Sequence, residues 1–79
     1  MAQLIKTDGS IVDDVAVETL HQQQQLVGGY IEYVYQGEKV FIVNEEGLLR
    51  SMDYNETAST MCDRHLVGNV IVASQSEIK

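Results

Sequence analysis

Lysine and arginine are scarce here, five together against twelve aspartates and glutamates in 79 residues, for a formal charge of -7. Twelve acids is near the ordinary share, so the missing bases make the imbalance. A field of this sign repels phosphate backbones, which disfavours direct binding of DNA or RNA. A basic protein partner, or mimicry of nucleic acid, suits the sign better, although a modest acid excess also serves solubility alone. Cysteine is reduced to Cys62, which excludes an intrachain disulfide. No apolar run approaches the roughly 20 residues that span a bilayer, so no membrane partner is expected. The opening MAQLIKTDG has neither the apolar core of a signal peptide nor a myristoylation site. These absences together point to a soluble, intracellular chain.

Catalytic signatures are missing too. There is no glycine-rich phosphate loop, no GxSxG and no paired-acid motif. Glu45 and Glu46 are adjacent and point apart on an extended chain, so they make a poor acid/base couple. Cys62 and His65 offer two zinc ligands at a helical offset, but a tetrahedral site needs more and His21 is the only other histidine. The expectation is a protein that is not an enzyme, with no catalytic residues, no metal and no cofactor.

What is present is a single small domain over residues 1–79. A domain of this size leaves roughly 40% of its unfolded-chain surface exposed, so its core is thin and a partner or homo-oligomer is a natural supplement. QLIKTDGSIVDDV reads as a hairpin about a two-residue Asp8-Gly9 turn, which sets Ile5 opposite Val12 and Lys6 opposite Ile11. In TLHQQQQLVGG, Thr19 and Gln22 have capping-box spacing and Gly28 sits where a helix ends left-handed, which predicts a helix near 20–27. Its apolar face is poor, with only Gln23 and Gln24 between Leu20 and Val27.

YIEYVYQGEKVFIVN predicts a second hairpin about Gly37-Glu38, with Tyr35 facing Val40, Val34 facing Phe41 and Tyr33 facing Ile42. Alternation puts Ile31, Tyr33, Tyr35, Val40 and Ile42 on one face and Tyr30, Val34, Phe41 and Val43 on the other. Both faces are apolar, so both need covering, more than one short helix supplies. The remainder falls to the N-terminal hairpin, the 53–62 segment or a second subunit. From Leu66, LVGNVIVAS closes the fold as a strand buried on both faces, with a bend at Gly68-Asn69 and a frayed tail after it. The expected fold class is α+β: a mostly antiparallel sheet of two hairpins and a C-terminal strand, with two short helices.

The polar stretch NEEGLLRSMDYNETAS has two readings. Local structure accounts for nearly all of it: a turn at Asn44–Gly47, then a helix start with Asp53 as cap and Glu56 reaching back. In the functional reading, Asn44, Glu45, Glu46, Asp53, Tyr54 and Asn55 converge on one rim, where helix amides could meet an anion and Tyr54 could stack. The carboxylates would repel that anion unless a metal intervened. Tyr33 and Tyr35 on the hairpin complete the candidate binding residues.

LVGGYIEYV, VNEEGLLRSMDYNETAS and LVGNVIV, in that order and spacing, resemble a family of small domains of unknown function found in bacteriophages, plasmids and bacterial genomes. The resemblance runs from about Leu20 to Val72. It implies that Asn44–Gly47 and Asn55 fall at recurrent motif positions. This chain departs at Gln23, where such sequences usually carry leucine. The implied context is phage-like, in the cytoplasm of a host bacterium. The leading expectation is a non-enzymatic acidic accessory protein that binds a host or defence protein with a basic surface, in the manner of an inhibitor. The rivals are a small-ligand binder that sequesters a nucleotide signal and an assembly protein acting through self-association.

Overall fold

The computed structural model describes residues 2–47 and 49–77. The elements run β1 (Gln3–Ile5), β2 (Ile11–Asp13), α1 (Leu20–Val27), β3 (Ile31–Gln36), β4 (Lys39–Asn44), α2 (Glu56–Cys62) and β5 (Val70–Ser74). The five strands form one antiparallel sheet in the order β2-β1-β5-β4-β3, which is the expected α+β architecture. The C-terminal strand lies between the two hairpins. Val70 to Ala73 are buried because β5 has a strand on each side and a helical layer on each face.

The second hairpin has the register its turn predicts, with Tyr35 opposite Val40, Val34 opposite Phe41 and Tyr33 opposite Ile42. Gly37 supplies φ 61 at the first turn position, where a Cβ would be strained. The first hairpin differs by one residue: Ile5 pairs with Ile11 and Leu4 with Val12. Its loop is three residues long, Thr7 to Gly9, closed by Lys6 N donating to Ser10 O at 2.9 Å, with Gly9 at φ 91. Asp8 Oδ1 accepts from both the amide and the hydroxyl of Ser10, which holds the longer loop and keeps the Asp8 carboxyl below its usual pKa. A two-residue turn would need positive φ at Asp8 as well; only Gly9 takes it.

Helix α1 has both halves of the Thr19/Gln22 capping box and ends at left-handed Gly28, φ 84. Its polar composition is reconciled with burial through Gln23. That buried side chain donates to Val17 O at 2.8 Å and accepts from the Tyr33 hydroxyl at 2.7 Å. Where a leucine would fill the site with carbon, the amide fills it with two satisfied hydrogen bonds. Helix α2 is capped by Asn55, not Asp53: Asn55 Oδ1 accepts from Ala58 N at 3.0 Å. Helix α2 ends at left-handed Asp63, φ 58.

The chain covers both faces of its own sheet. Val17 and Val27 pack with Leu4, Val40, Ile42, Ile71 and Ala73 on one side. On the other, Ala58, Cys62 and Leu66 cover Ile5, Val34, Phe41, Val43, Val70 and Val72. Of the covers expected for the second face of the central hairpin, the segment that includes α2 is the one that supplies it, and no second subunit is needed to hide the aliphatic side chains. The aromatic remainder stays outside, with Tyr30 65% and Tyr35 59% exposed. Beyond β5 the chain does not fray at once. Gln75–Glu77 form a 3-10 turn in which Gln75 donates to the carbonyls of Glu38 and Gly37. Ile78 and Lys79, the end of the expected frayed tail, lie outside the described residues.

Candidate functional site

The eight candidate residues separate into three groups. Asn44 and Asn55 are buried and their amides are used internally. Asn44, the last residue of β4, donates to Val27 O at 3.1 Å and accepts from Glu46 N at 2.8 Å, which fixes the end of α1 against the turn that follows. Asn55 donates to Ile5 O at 2.9 Å and Gly68 O at 2.8 Å while capping α2. Both side chains hold the ends of elements together, so neither presents a free polar group to a ligand.

The second group lies on the α2 side of the sheet. There a shallow groove runs beside β3, lined by Glu32, Val34, Val43, Asn44, Glu45, Leu49, Arg64, His65, Leu66 and Val67. Its floor is aliphatic because Val34, Val43 and Leu66 belong to the core below. The rim carries exposed Glu32 and Glu45 together with Arg64 and His65, and Leu49 is 86% exposed. Tyr54 adjoins this rim: its ring stacks on His65 with centroids 4.8 Å apart and planes at 27°. The face of Tyr54 that would receive a base is thus partly taken by the chain's own imidazole. Asp53 lines a different groove, with Met52, Gly68, Asn69 and the end of α1. The structure thus divides these residues: Asn44 and Asn55 are buried, Glu45 and Tyr54 lie at or beside one groove, Asp53 lines another, and Glu46 is an exposed turn residue.

Tyr33 and Tyr35 form the third group, on the α1 side of β3. Their rings meet edge to face, with centroids 6.3 Å apart. Tyr33 is half-buried and anchored by Gln23, whereas Tyr35 is exposed. Their place on an edge strand follows from topology, because β3 pairs only with β4.

Sequence reasoning overlooked Arg64, His65 and Leu49 as neighbours of Glu45. The bridge between Tyr54 and Val67, with Asn55 N donating to Leu66 O and Gly68 N to Asp53 O, folds the segment back on itself and brings His65 to Tyr54. The Cys62 thiol is buried, and its pKa is raised by that burial, with Arg64 opposing and Asp63 adding to the shift. That is the opposite of what a nucleophilic cysteine requires. Among the described residues no group of three or more His, Cys, Asp or Glu side chains could hold a metal, and no helix is long and apolar enough to cross a membrane.

The model of a family described as a domain of unknown function (DUF3846) matches residues 1–78, and the chain belongs to that family. No curated protein and no solved structure matches the chain.

Proposed function

We propose that this member of the family is a non-enzymatic accessory protein of phage or plasmid type, working by contact with a host or defence protein that presents a basic surface, as an inhibitor. One observation carries the reading. With both sheet faces covered, one hairpin still presents two exposed aromatics and four exposed acids: Tyr30 and Tyr35 at the two ends of β3, with Glu32, Glu38, Glu45 and Glu46 in the same hairpin and the turn after it. Between residues 30 and 46 the only base is Lys39. Exposed aromatics supply contact area at low entropic cost, and a field of one sign steers an oppositely charged partner.

Capture from a bacterial lysate, comparing the intact protein with Glu45→Lys/Glu46→Lys, tests this. The expected result is a partner retained by the intact chain, lost by the variant and released as salt rises. An affinity unchanged between low and high ionic strength would remove the electrostatic part of the reading.

A further inference from the structure

Two strands of the sheet have an open edge, and they differ. Strand β2 has three residues and stops at Asp13 and Asp14, the latter at φ 58, so it offers little length for pairing. Strand β3 has six residues in unbroken register with β4, from Ile31 opposite Asn44 to Gln36 opposite Lys39. It carries no proline, no lysine and no bulge, the usual devices that keep an edge from pairing.

The direction of its free groups follows from one bond. Tyr30 O accepts from Glu45 N at 2.9 Å, so in an antiparallel ladder the main chains of residues 30, 32, 34 and 36 turn toward β4. The N–H and C=O groups of Ile31, Tyr33 and Tyr35 then point away from the sheet. Side chains alternate across the same strand: Ile31, Tyr33 and Tyr35 stand on the α1 face, and Glu32 stands on the groove side with Val34.

We propose that the β3 edge takes an extended, basic polypeptide segment as a sixth strand. Its main chain bonds to Ile31, Tyr33 and Tyr35, its Lys or Arg side chains lie beside Glu32, and its apolar side chains lie against Tyr33 and Tyr35. Charge selects this occupant. Glu32 is the only charge on β3, Glu38 and Glu45 flank it in the hairpin, and a second copy of a chain with net charge -7 would bring like charge to the same edge. Arg64 and His65 line the same groove as Glu32 and Glu45 but belong to the segment after α2, not to the β3–β4 hairpin. The inference rests on the reading of a basic protein partner and specifies how that partner is held.

The test uses an acetylated and amidated heptapeptide of alternating lysine and valine, its glutamate counterpart, and a version N-methylated at alternate residues. The lysine peptide is expected to bind the intact protein, to shift the amide resonances of Ile31, Tyr33 and Tyr35, and to outcompete the other two by about tenfold or more. Tyr35→Pro removes one outward N–H without breaking a bond to β4, so it should keep the fold and lose about tenfold in affinity beyond Tyr35→Ala. Should that variant not fold, the N-methylated peptide probes the same bonds on the intact chain.

Equal affinity for the methylated peptide, or equal affinity of Tyr35→Pro and Tyr35→Ala for the lysine peptide, would overturn strand addition while leaving an acidic binding surface in place. No binding of the lysine peptide would overturn it as well, and lysate capture would still decide the broader reading. A dimer of the intact protein that Tyr35→Pro dissociates would show that a second copy takes the edge instead.

Discussion

Asn55 Nδ2 donates to the carbonyl oxygen of Ile5 at 2.9 Å, tying the start of α2 to β1 across fifty positions of sequence. The same amide reaches Gly68 O at 2.8 Å, and the side-chain oxygen caps Ala58 N. Asn55 is fully buried, so each bond is made where water cannot replace it.

Asn55→Ala should therefore cost about 2–4 kcal/mol by urea denaturation, more than an ordinary cap, which costs about 1 kcal/mol. Asn55→Asp should cost at least as much near neutral pH, because a carboxylate would face two carbonyl oxygens. Burial and those oxygens raise the pKa of the introduced carboxyl above its unfolded value of about 3.9. Its neutral form is the one the fold accepts, so the penalty should shrink below about pH 4 and grow as pH rises through the folded pKa. A flat pH profile relative to the parent would contradict this account.

The Gln23 amide and the Tyr33 hydroxyl form a pair that a double-mutant cycle can isolate. Tyr33→Phe should cost about 0.5–1.5 kcal/mol in the parent and close to nothing in a Gln23→Leu background. Equal costs in both backgrounds would mean that the 2.7 Å contact contributes nothing.

Gly37 and Gly68 separate backbone strain from crowding. Both have positive φ, 61 and 75, so alanine at either carries a left-handed penalty of about 1–2 kcal/mol. A Cβ at Gly37 meets nothing within 4 Å, whereas one at Gly68 would lie 2.8 Å from Met52 Sδ. Thermal melts should rank Gly68→Ala as the more damaging, and adding Met52→Ala should narrow the gap.

Cys62 should resist thiol reagents in the native state and react only on opening. Its folded pKa is raised, chiefly by burial, so the neutral thiol contributes stability that is complete below the unfolded pKa of about 8.5 and is lost as pH rises through the higher folded value. Cys62→Ala should flatten the decline in stability between about pH 8 and pH 10. A decline of the same slope in the variant would assign it to other groups.

The outcomes of individual elements show where local chemistry suffices. The limits of α1 were legible because Thr19 and Gln22 cap its start and Gly28 its end, each through bonds to residues within four positions. The register of β3 with β4 was legible because the two-residue turn at Gly37-Glu38 leaves one way to pair. The first hairpin slipped by one residue because the Asp8 bonds to Ser10 favour a longer loop that the Asp-Gly pair does not announce. For α2, Asp53 and Asn55 are both cap formers. Only Asn55 carries amide protons to give to Ile5 and Gly68, and those acceptors arrive from distant chain.

The candidate rim is divided for a related reason. Polar residues adjacent in sequence looked adjacent in space, yet the fold buries Asn44 and Asn55 as fasteners, sends Asp53 to another groove and stacks Tyr54 on His65.

By itself, the order of residues determined the elements built from short-range bonds, the two apolar faces of the central hairpin and the sign of the surface field. Tertiary structure alone decided that β5 would part the two hairpins, that α1 and α2 would cover opposite faces, and that β3 would be left as an open edge. Those choices depend on which buried surfaces and carbonyls meet across roughly thirty to seventy residues. The closing of such loops is compensated only when the whole sheet and both helices form together, so no short window of sequence contains it.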